Sequence, residues 1–232
     1  MTHLVMMLAI GVAAAGGAVV QAQQTGQEHS HDATVTHPFD DVQKWVEVFD
    51  DPNRAEWQKP DQIPPVLGLK PGMAIADIGA GTGYFLKHFS NAVGTSGRVY
   101  AVDIEPKLVD YMRERVHREK SENVTVILGA PDDPKLPAGA LDVIFICDTW
   151  HHINDRIDYL ALLGRALKPG GSVVIVDFQK RETPVGPPLE HKIASEDVVA
   201  EFAEAGWVLA TQSDILPYQY LLIFKLRPPA AR

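Results

Sequence analysis

A chain of 232 residues, 46% of them hydrophobic, has the length and composition of one well-buried domain and is too short for two ordinary ones. Its formal net charge of -9 argues against the basic patch or stripe by which a surface gathers nucleic acid, so neither DNA nor RNA is expected as a partner. One cysteine, Cys147, excludes an intramolecular disulfide framework; at the end of an apolar strand it reads as a buried thiol.

Residues 1–22 contain no Asp, Glu, Lys or Arg, and the run from Leu4 to Val20 is apolar. Val20-Gln21-Ala22 closes it with the small-residue pattern of secretory cleavage, so the segment reads as a signal peptide. The expectation is an exported, periplasmic protein with no stable membrane insertion once the leader is cut. An uncleaved anchor is the alternative, because the run approaches the length of a membrane span. Residues 23–38 are polar and aperiodic and are expected to form a flexible linker. His29, His31 and His37 lack helical spacing and read as solvated side chains, with a loose metal-binding tract as the alternative.

Residues 39–70 form a lead-in. Val42, Trp45, Val46 and Phe49 take the i, i+3, i+4 and i+7 positions of a helix over 41–49 that Asp40 or Asp41 can cap. From residue 71 to 228 strand and helix signals alternate. Strands are expected at 73–78, 98–102, 124–128, 142–147 and 172–177, and helices at 83–93, 106–120 and 155–167. Such alternation requires right-handed crossovers, and unbroken apolar runs such as Val143-Ile-Phe-Ile146 indicate strands covered on both faces. Ser195 is expected to cap a further helix that stops at Gly206. Two last strands, 207–213 and 219–226, read as a hairpin. The fold class is α/β, a three-layer α/β/α sandwich on a mostly parallel seven-stranded sheet with an antiparallel terminal hairpin strand.

The run Asp77-Ile-Gly-Ala-Gly-Thr-Gly83 joins the first strand to a helix. Glycines at 79, 81 and 83 permit a sharp turn and are expected to present bare N–H groups and a helix N-terminus to a bound anion or polar cofactor. A dinucleotide fingerprint is G-x-G-x-x-G; here the third glycine comes one residue early and a carboxylate stands before the first. An acid suits a cofactor that carries an ammonium and a sulfonium and no phosphate, which favours S-adenosylmethionine (SAM) over NAD. Asp103 ends the second strand about 20 residues on, placed to accept both ribose hydroxyls.

Ala76-Asp-Ile-Gly-Ala-Gly-Thr-Gly-Tyr84, Val99-Tyr-Ala-Val-Asp-Ile104, Leu141-Asp-Val-Ile-Phe-Ile-Cys147, Leu167-Lys-Pro-Gly-Gly171 and Ser172-Val-Val-Ile-Val-Asp177 follow one another in order. In this succession, over residues 60–226, the chain resembles the class I SAM-dependent methyltransferases, whose sheets also close on a reversed strand. The resemblance implies that Asp77, Gly79, Ala80, Gly81 and Gly83 hold the methionine end of SAM and that Asp103 binds the ribose. Tyr84, Ile104 and Asp148 complete the expected cofactor set. Where many members place an acid for the adenine amino group this chain has Ala130, so Asp132 or Asp133 is the expected substitute. The resemblance also makes Arg54 and Trp57 candidates for a lid; the alternative is that Trp57 only packs the lead-in on the sheet.

Open parallel sheets bind ligands at the carboxyl ends of their strands. The densest polar group there is Asp148-Thr-Trp-His-His152, which faces the acceptor in related enzymes. His151, His152 and Asp148 are therefore the catalytic candidates. Methyl transfer depends chiefly on alignment and water exclusion, and an acceptor hydroxyl or thiol needs a base near neutral pH, which either histidine can supply. The alternative is one histidine packed and the other solvated. No Asn-Pro-Pro-Tyr or Asp-Pro-Pro-Tyr run and no Pro-Cys pair is present, so a small-molecule acceptor is expected. Tyr84, Trp150, Phe178, Tyr218 and Tyr220 are candidates to line its slot, bordered by the stiff loop 183–188. The competing functions are a non-catalytic module that binds SAM or S-adenosylhomocysteine, and an NAD-dependent oxidoreductase.

Overall fold

The computed structural model describes residues 41–227; the leader and the histidine-bearing linker lie outside the described residues. Three short helices come first, α1 (Val42–Phe49), α2 (Arg54–Gln58) and α3 (Ile63–Val66). The alternation then runs β1 (Ala74–Ile78), α4 (Leu86–Val93), β2 (Arg98–Asp103), α5 (Pro106–Arg118), β3 (Val124–Leu128) and β4 (Leu141–Cys147). It continues with α6 (Arg156–Ala166), β5 (Leu167–Phe178), α7 (Ser195–Glu204), β6 (Trp207–Ser213) and β7 (Gln219–Leu226). The seven strands form one sheet in the order β3-β2-β1-β4-β5-β7-β6. β7 alone is reversed, antiparallel to both β5 and β6, as the expected fold class requires.

Strand order turns back between β1 and β4, where β1 pairs with β2 on one side and β4 on the other. Crossovers leave in opposite directions from this point, so a crevice opens beyond the carboxyl ends of the two strands. Side chains alternate between two buried layers. Ile75, Val143, Phe145, Val174 and Val176 pack against Phe85, Phe89 and Val109 on one face. Ile144, Ile146 and Ile175 pack against Leu160, Leu163 and Phe202 on the other. Cover on both faces is why these strands read as unbroken apolar runs.

Several boundaries differ from the sequence expectation for local reasons. α4 begins at Leu86 rather than at residue 83, because Gly83 sits at φ 84°, outside helical space. β5 starts at Leu167, five residues early, because Leu167 already pairs with Leu141 before a register shift. Ser195 does not cap α7: Ala194 holds the extended cap position, and the Ser195 hydroxyl donates instead to Glu196 at 3.1 Å. Asp41 does cap α1, accepting from the Lys44 N–H at 3.2 Å.

Two polar anchors fix the loops around the crevice. Asp50, at the end of α1, accepts from the Thr82 hydroxyl at 3.0 Å and from Arg115 Nη1 at 3.0 and 3.1 Å, fastening α1 to the glycine loop and to α5. Beneath the segment after β4, buried Glu201 of α7 accepts from Arg156 Nη2 at 2.7 Å and from Trp150 Nε1 at 2.9 Å. Arg156 Nη1 in turn donates to the Ile153 carbonyl at 3.2 Å. Both side chains of the Arg156–Glu201 pair are 2% exposed, and removing one half of such a pair strands the other charge in a low dielectric. Glu201→Ala is therefore expected to lower unfolding free energy by about 3–5 kcal/mol, measured by urea denaturation.

Candidate active site

The crevice is a cavity of about 850 Å³ into which β1, β2, β4 and the lead-in all project residues. Asp77 lies one residue before the end of β1 and pairs with Ala101, and Asp103 ends β2 two residues further on, so the parallel register puts both acids on the same face at the carboxyl end of the sheet. The glycine loop between them departs from the expected anion cradle. The N–H groups of Gly79 and Ala80 donate to the Val102 carbonyl at 2.9 and 3.0 Å, and that of Gly83 donates to Ala80 at 2.8 Å. Gly81 N–H donates to Asp103 Oδ2 at 2.8 Å. These four donors are spent inside the protein and the helix starts beyond the loop, so the glycine N–H groups do not form the cradle a pyrophosphate needs. That removes the main contact on which a dinucleotide cofactor depends.

Glycine is required for packing as well as for turning. Gly79, at φ 71°, leaves the space where a Cβ would collide with Thr149, and a Cβ on Gly81, at φ 58°, would press on the Phe49 ring at 3.1 Å. The loop is thereby held between the segment after β4 and the end of α1.

Asp77 is 2% exposed, and its Oδ2 has no hydrogen-bond partner among the described residues. Burial pushes its pKa up to about 7, against the opposing pull of Arg54 and with a further push from Asp103. An unsatisfied carboxylate oxygen facing a cavity suits a ligand ammonium. Asp103 is 8% exposed, and burial also raises its pKa, although the N–H groups of Gly81 and Glu105 (3.0 Å) partly offset this. Its two oxygens have further lone pairs for a ribose diol. Ile104, 55% exposed, and the segment Ala130, Pro131 and Pro134 flank the same end with apolar surface. Of the two acids expected there, Asp132 is exposed and outside the cavity wall, and Asp133, also outside it, accepts at Oδ1 from Lys135 N–H at 2.7 Å. Without an acid, shape and apolar contact remain for an adenine.

The opposite end carries the catalytic candidates. Asp148 stands at φ 53°, and its Oδ1 accepts from Gln219 Nε2 at 2.6 Å. Burial, reinforced by Asp177, raises its pKa to about 6. His151 is 3% exposed and lines the cavity; its Nδ1 lies 2.8 Å from Asp177 Oδ2. Burial disfavours the imidazolium, but the Asp177 carboxylate outweighs it and the pKa is raised. The His152 ring stacks beside it at 4.2 Å and also reaches the cavity.

Arg54 and Trp57 both line the cavity from α2. Trp57 also packs on Phe178 at 5.6 Å and on Tyr218 at 6.5 Å, so it is at once wall and core. Of the five aromatic residues expected around an acceptor, Tyr84 and Phe178 line the cavity. Trp150 is committed to Glu201, and Tyr220 donates to the Ile193 carbonyl at 3.4 Å. Tyr218 supports Trp57 from behind. Sequence reasoning missed the pairing of Asp177 with His151 and the roles of Gln58 and Gln219. An acid ending the fifth strand was a visible signal for the first; two glutamines far apart in the chain offered none.

A methyltransferase-domain family profile matches residues 76–175. A ubiquinone/menaquinone biosynthesis C-methyltransferase UbiE of Shewanella sp. (strain W3-18-1) is 31% identical over 117 residues, which cover 50% of this chain and 46% of that protein. The chain thus spans about half the length of the curated relatives it matches. A phosphoethanolamine N-methyltransferase 2 of Haemonchus contortus in complex with S-adenosyl-L-methionine shares the fold, with a TM-score of 0.62 at 22% identity over 75% of this chain and 43% of that one. A SAM-dependent methyltransferase from Aquifex aeolicus superposes with a TM-score of 0.76 at 31% identity, covering 79% of this chain and 97% of that one. Since nearly all of that enzyme is matched at this identity, and the sheet here carries a pocket with two strand-end acids, the chain belongs to the class I SAM-dependent methyltransferases and its cofactor is SAM.

Proposed function

We propose that this protein transfers the methyl group of SAM to an uncharged, hydroxyl-bearing small molecule seated between Trp57, Phe178 and the 183–188 loop, with His151 as the base. The observation that carries this reading is the buried His151–Asp177 pair on the same cavity as Asp77 and Asp103. SAM supplies an electrophilic methyl carbon on a sulfonium. Asp77 and Asp103 hold its ammonium and ribose and so fix where that carbon lies. With Asp177 accepting the Nδ1 proton, Nε2 is the basic nitrogen of the neutral ring. It takes the acceptor hydroxyl proton as the oxygen attacks the methyl carbon and the C–S bond breaks, its electron pair staying on sulfur. A phenolate formed this way also delivers nucleophilic character to its ring carbons, so O- and C-methyl products arise from the same deprotonation.

Val185, Pro187 and Pro188 add apolar wall at the acceptor end, and Asp148 opposes an anionic acceptor there. A net charge of -9 supports a substrate other than nucleic acid. The apolar leader supports action outside the cytoplasm, although it lies outside the described residues.

Two measurements test the reading. His151→Ala is expected to lower kcat by about 10²–10⁴-fold with the Kd for SAM little changed. His152→Ala, assayed in parallel by product detection on a phenol panel, separates the two rings; an unchanged rate in His151→Ala removes it as the base. For the donor end, Asp77 must be ionised to pair with an ammonium, and its raised pKa leaves it protonated below about pH 7. SAM affinity is therefore expected to fall toward about tenfold per pH unit as pH drops from about 7 to 5. In Asp77→Asn, calorimetric titration should find that slope flattened.

A further inference from the structure

We infer that Arg54, carried by α2 in the lead-in, binds the carboxylate of the cofactor's methionine end while Asp77 takes its ammonium, so that the lead-in itself reads the donor's amino-acid tail. The inference rests on SAM occupying this cavity as proposed above. Arg54 is the one Lys or Arg among the described residues that line the cavity, and its side chain is 12% exposed. Nε donates to Gln58 Oε1 at 3.1 Å and Nη1 to the Phe49 carbonyl at 2.9 Å. Nη2 has no hydrogen-bond partner among the described residues; it lies 3.9 Å from Asp148 Oδ2, beyond hydrogen-bonding distance. The guanidinium lies over the Tyr84 ring, 4.2 Å from its centroid.

Tyr84 in turn has a buried hydroxyl with no partner, as does Asp77 at Oδ2. One cavity therefore holds two unspent donors, Arg54 Nη2 and the Tyr84 hydroxyl, and one unspent acceptor, Asp77 Oδ2. An α-amino acid zwitterion supplies the complement: a carboxylate for the donors and an ammonium for the acceptor. Adenosine offers only neutral acceptors and the sulfonium none, so the carboxylate is the one anionic partner in SAM for the guanidinium. Because Nε and Nη1 bind α2 and the end of α1, the same guanidinium joins the donor's tail to the segment that carries Trp57, a wall of the acceptor chamber.

The competing role for Arg54 is a structural brace, satisfied by Gln58 and Phe49 alone. The two are separated by calorimetric binding of SAM and of decarboxylated SAM, which keeps the adenosine, sulfonium and ammonium and lacks only the carboxylate. The full-length chain is expected to bind SAM at least about tenfold more tightly than the decarboxylated compound. Arg54→Gln should bring that ratio to about twofold or less by weakening SAM alone, and Arg54→Lys should restore part of it. Tyr84→Phe, a milder change that serves should Arg54→Gln misfold, is expected to reduce the ratio about two- to fivefold. A ratio near one in the unmodified protein, or a ratio that survives Arg54→Gln in a folded variant, overturns the inference while leaving SAM binding intact. If the unmodified protein binds neither compound, the cofactor reading falls and this inference with it.

Discussion

Carboxylates buried at the carboxyl ends of neighbouring parallel strands are the constraint around which this molecule is arranged. Asp77 and Asp177 sit one residue before the ends of β1 and β5, Asp103 ends β2 and Asp148 follows β4; the first three are buried and Asp148 is half-buried. An ionised carboxylate in such a place has to be hydrogen-bonded, paired or neutralised. Asp103 turns the Gly81 and Glu105 N–H groups onto itself, which shapes the glycine loop. Asp177 orients His151, and Asp148 is tied to Gln219 of the reversed strand. Asp77 keeps one oxygen unsatisfied, and that deficit is the strongest indication that a cationic ligand completes the site.

The lead-in helices α1 and α2 line the cavity, and α2 is tied to the sheet by polar contacts. Arg54, Gln58, Gln219 and Asp148 form a connected polar path: Arg54 Nε to Gln58 at 3.1 Å, Gln58 to Gln219 at 2.7 Å, and Gln219 to Asp148 at 2.6 Å. Gln58 is fully buried, so this path stands in for the water that the lead-in excludes. It joins the first helices of the domain to its last strand across the mouth of the sheet. Cys147 lies against it, with Gln58 Nε2 3.4 Å from its sulfur, and burial pushes the thiol's pKa well up, as fits a packing role.

Features whose signal is local were readable from residue order. The alternation of apolar strands and amphipathic helices places the fold, and the glycine spacing with Asp77 before it and Asp103 ending β2 mark two acids that share one cavity, because each depends on a few adjacent residues and on the period of the chain. What depends on partners far apart in sequence was not readable. The internal bonding of the loop N–H groups needs the Val102 carbonyl, and the orientation of His151 needs a strand 26 residues away. Ser195 failed as a cap because its neighbour Glu196 captured the hydroxyl, a competition that capping preference does not encode. Asp132 lies exposed in the tight turn closed by the Ala130–Asp133 bridge, while its neighbours Ala130, Pro131 and Pro134 line the cavity, a placement that residue order does not encode.

The contact between Gly79 and Thr149 makes the donor and acceptor loops one mechanical piece. Thr149 also lines the cavity, so enlarging it presses on the glycine backbone as well as on the chamber, and any side chain at 79 pushes on the segment that carries both histidines. Redesign for a different acceptor is accordingly open at Trp57, Phe178 and Val185, whose side chains reach the chamber from elements independent of that contact. Substitutions at Phe178 and Val185 leave both that contact and Arg54 untouched, whereas those at Trp57 also meet the Arg54 guanidinium, 5.9 Å from its ring.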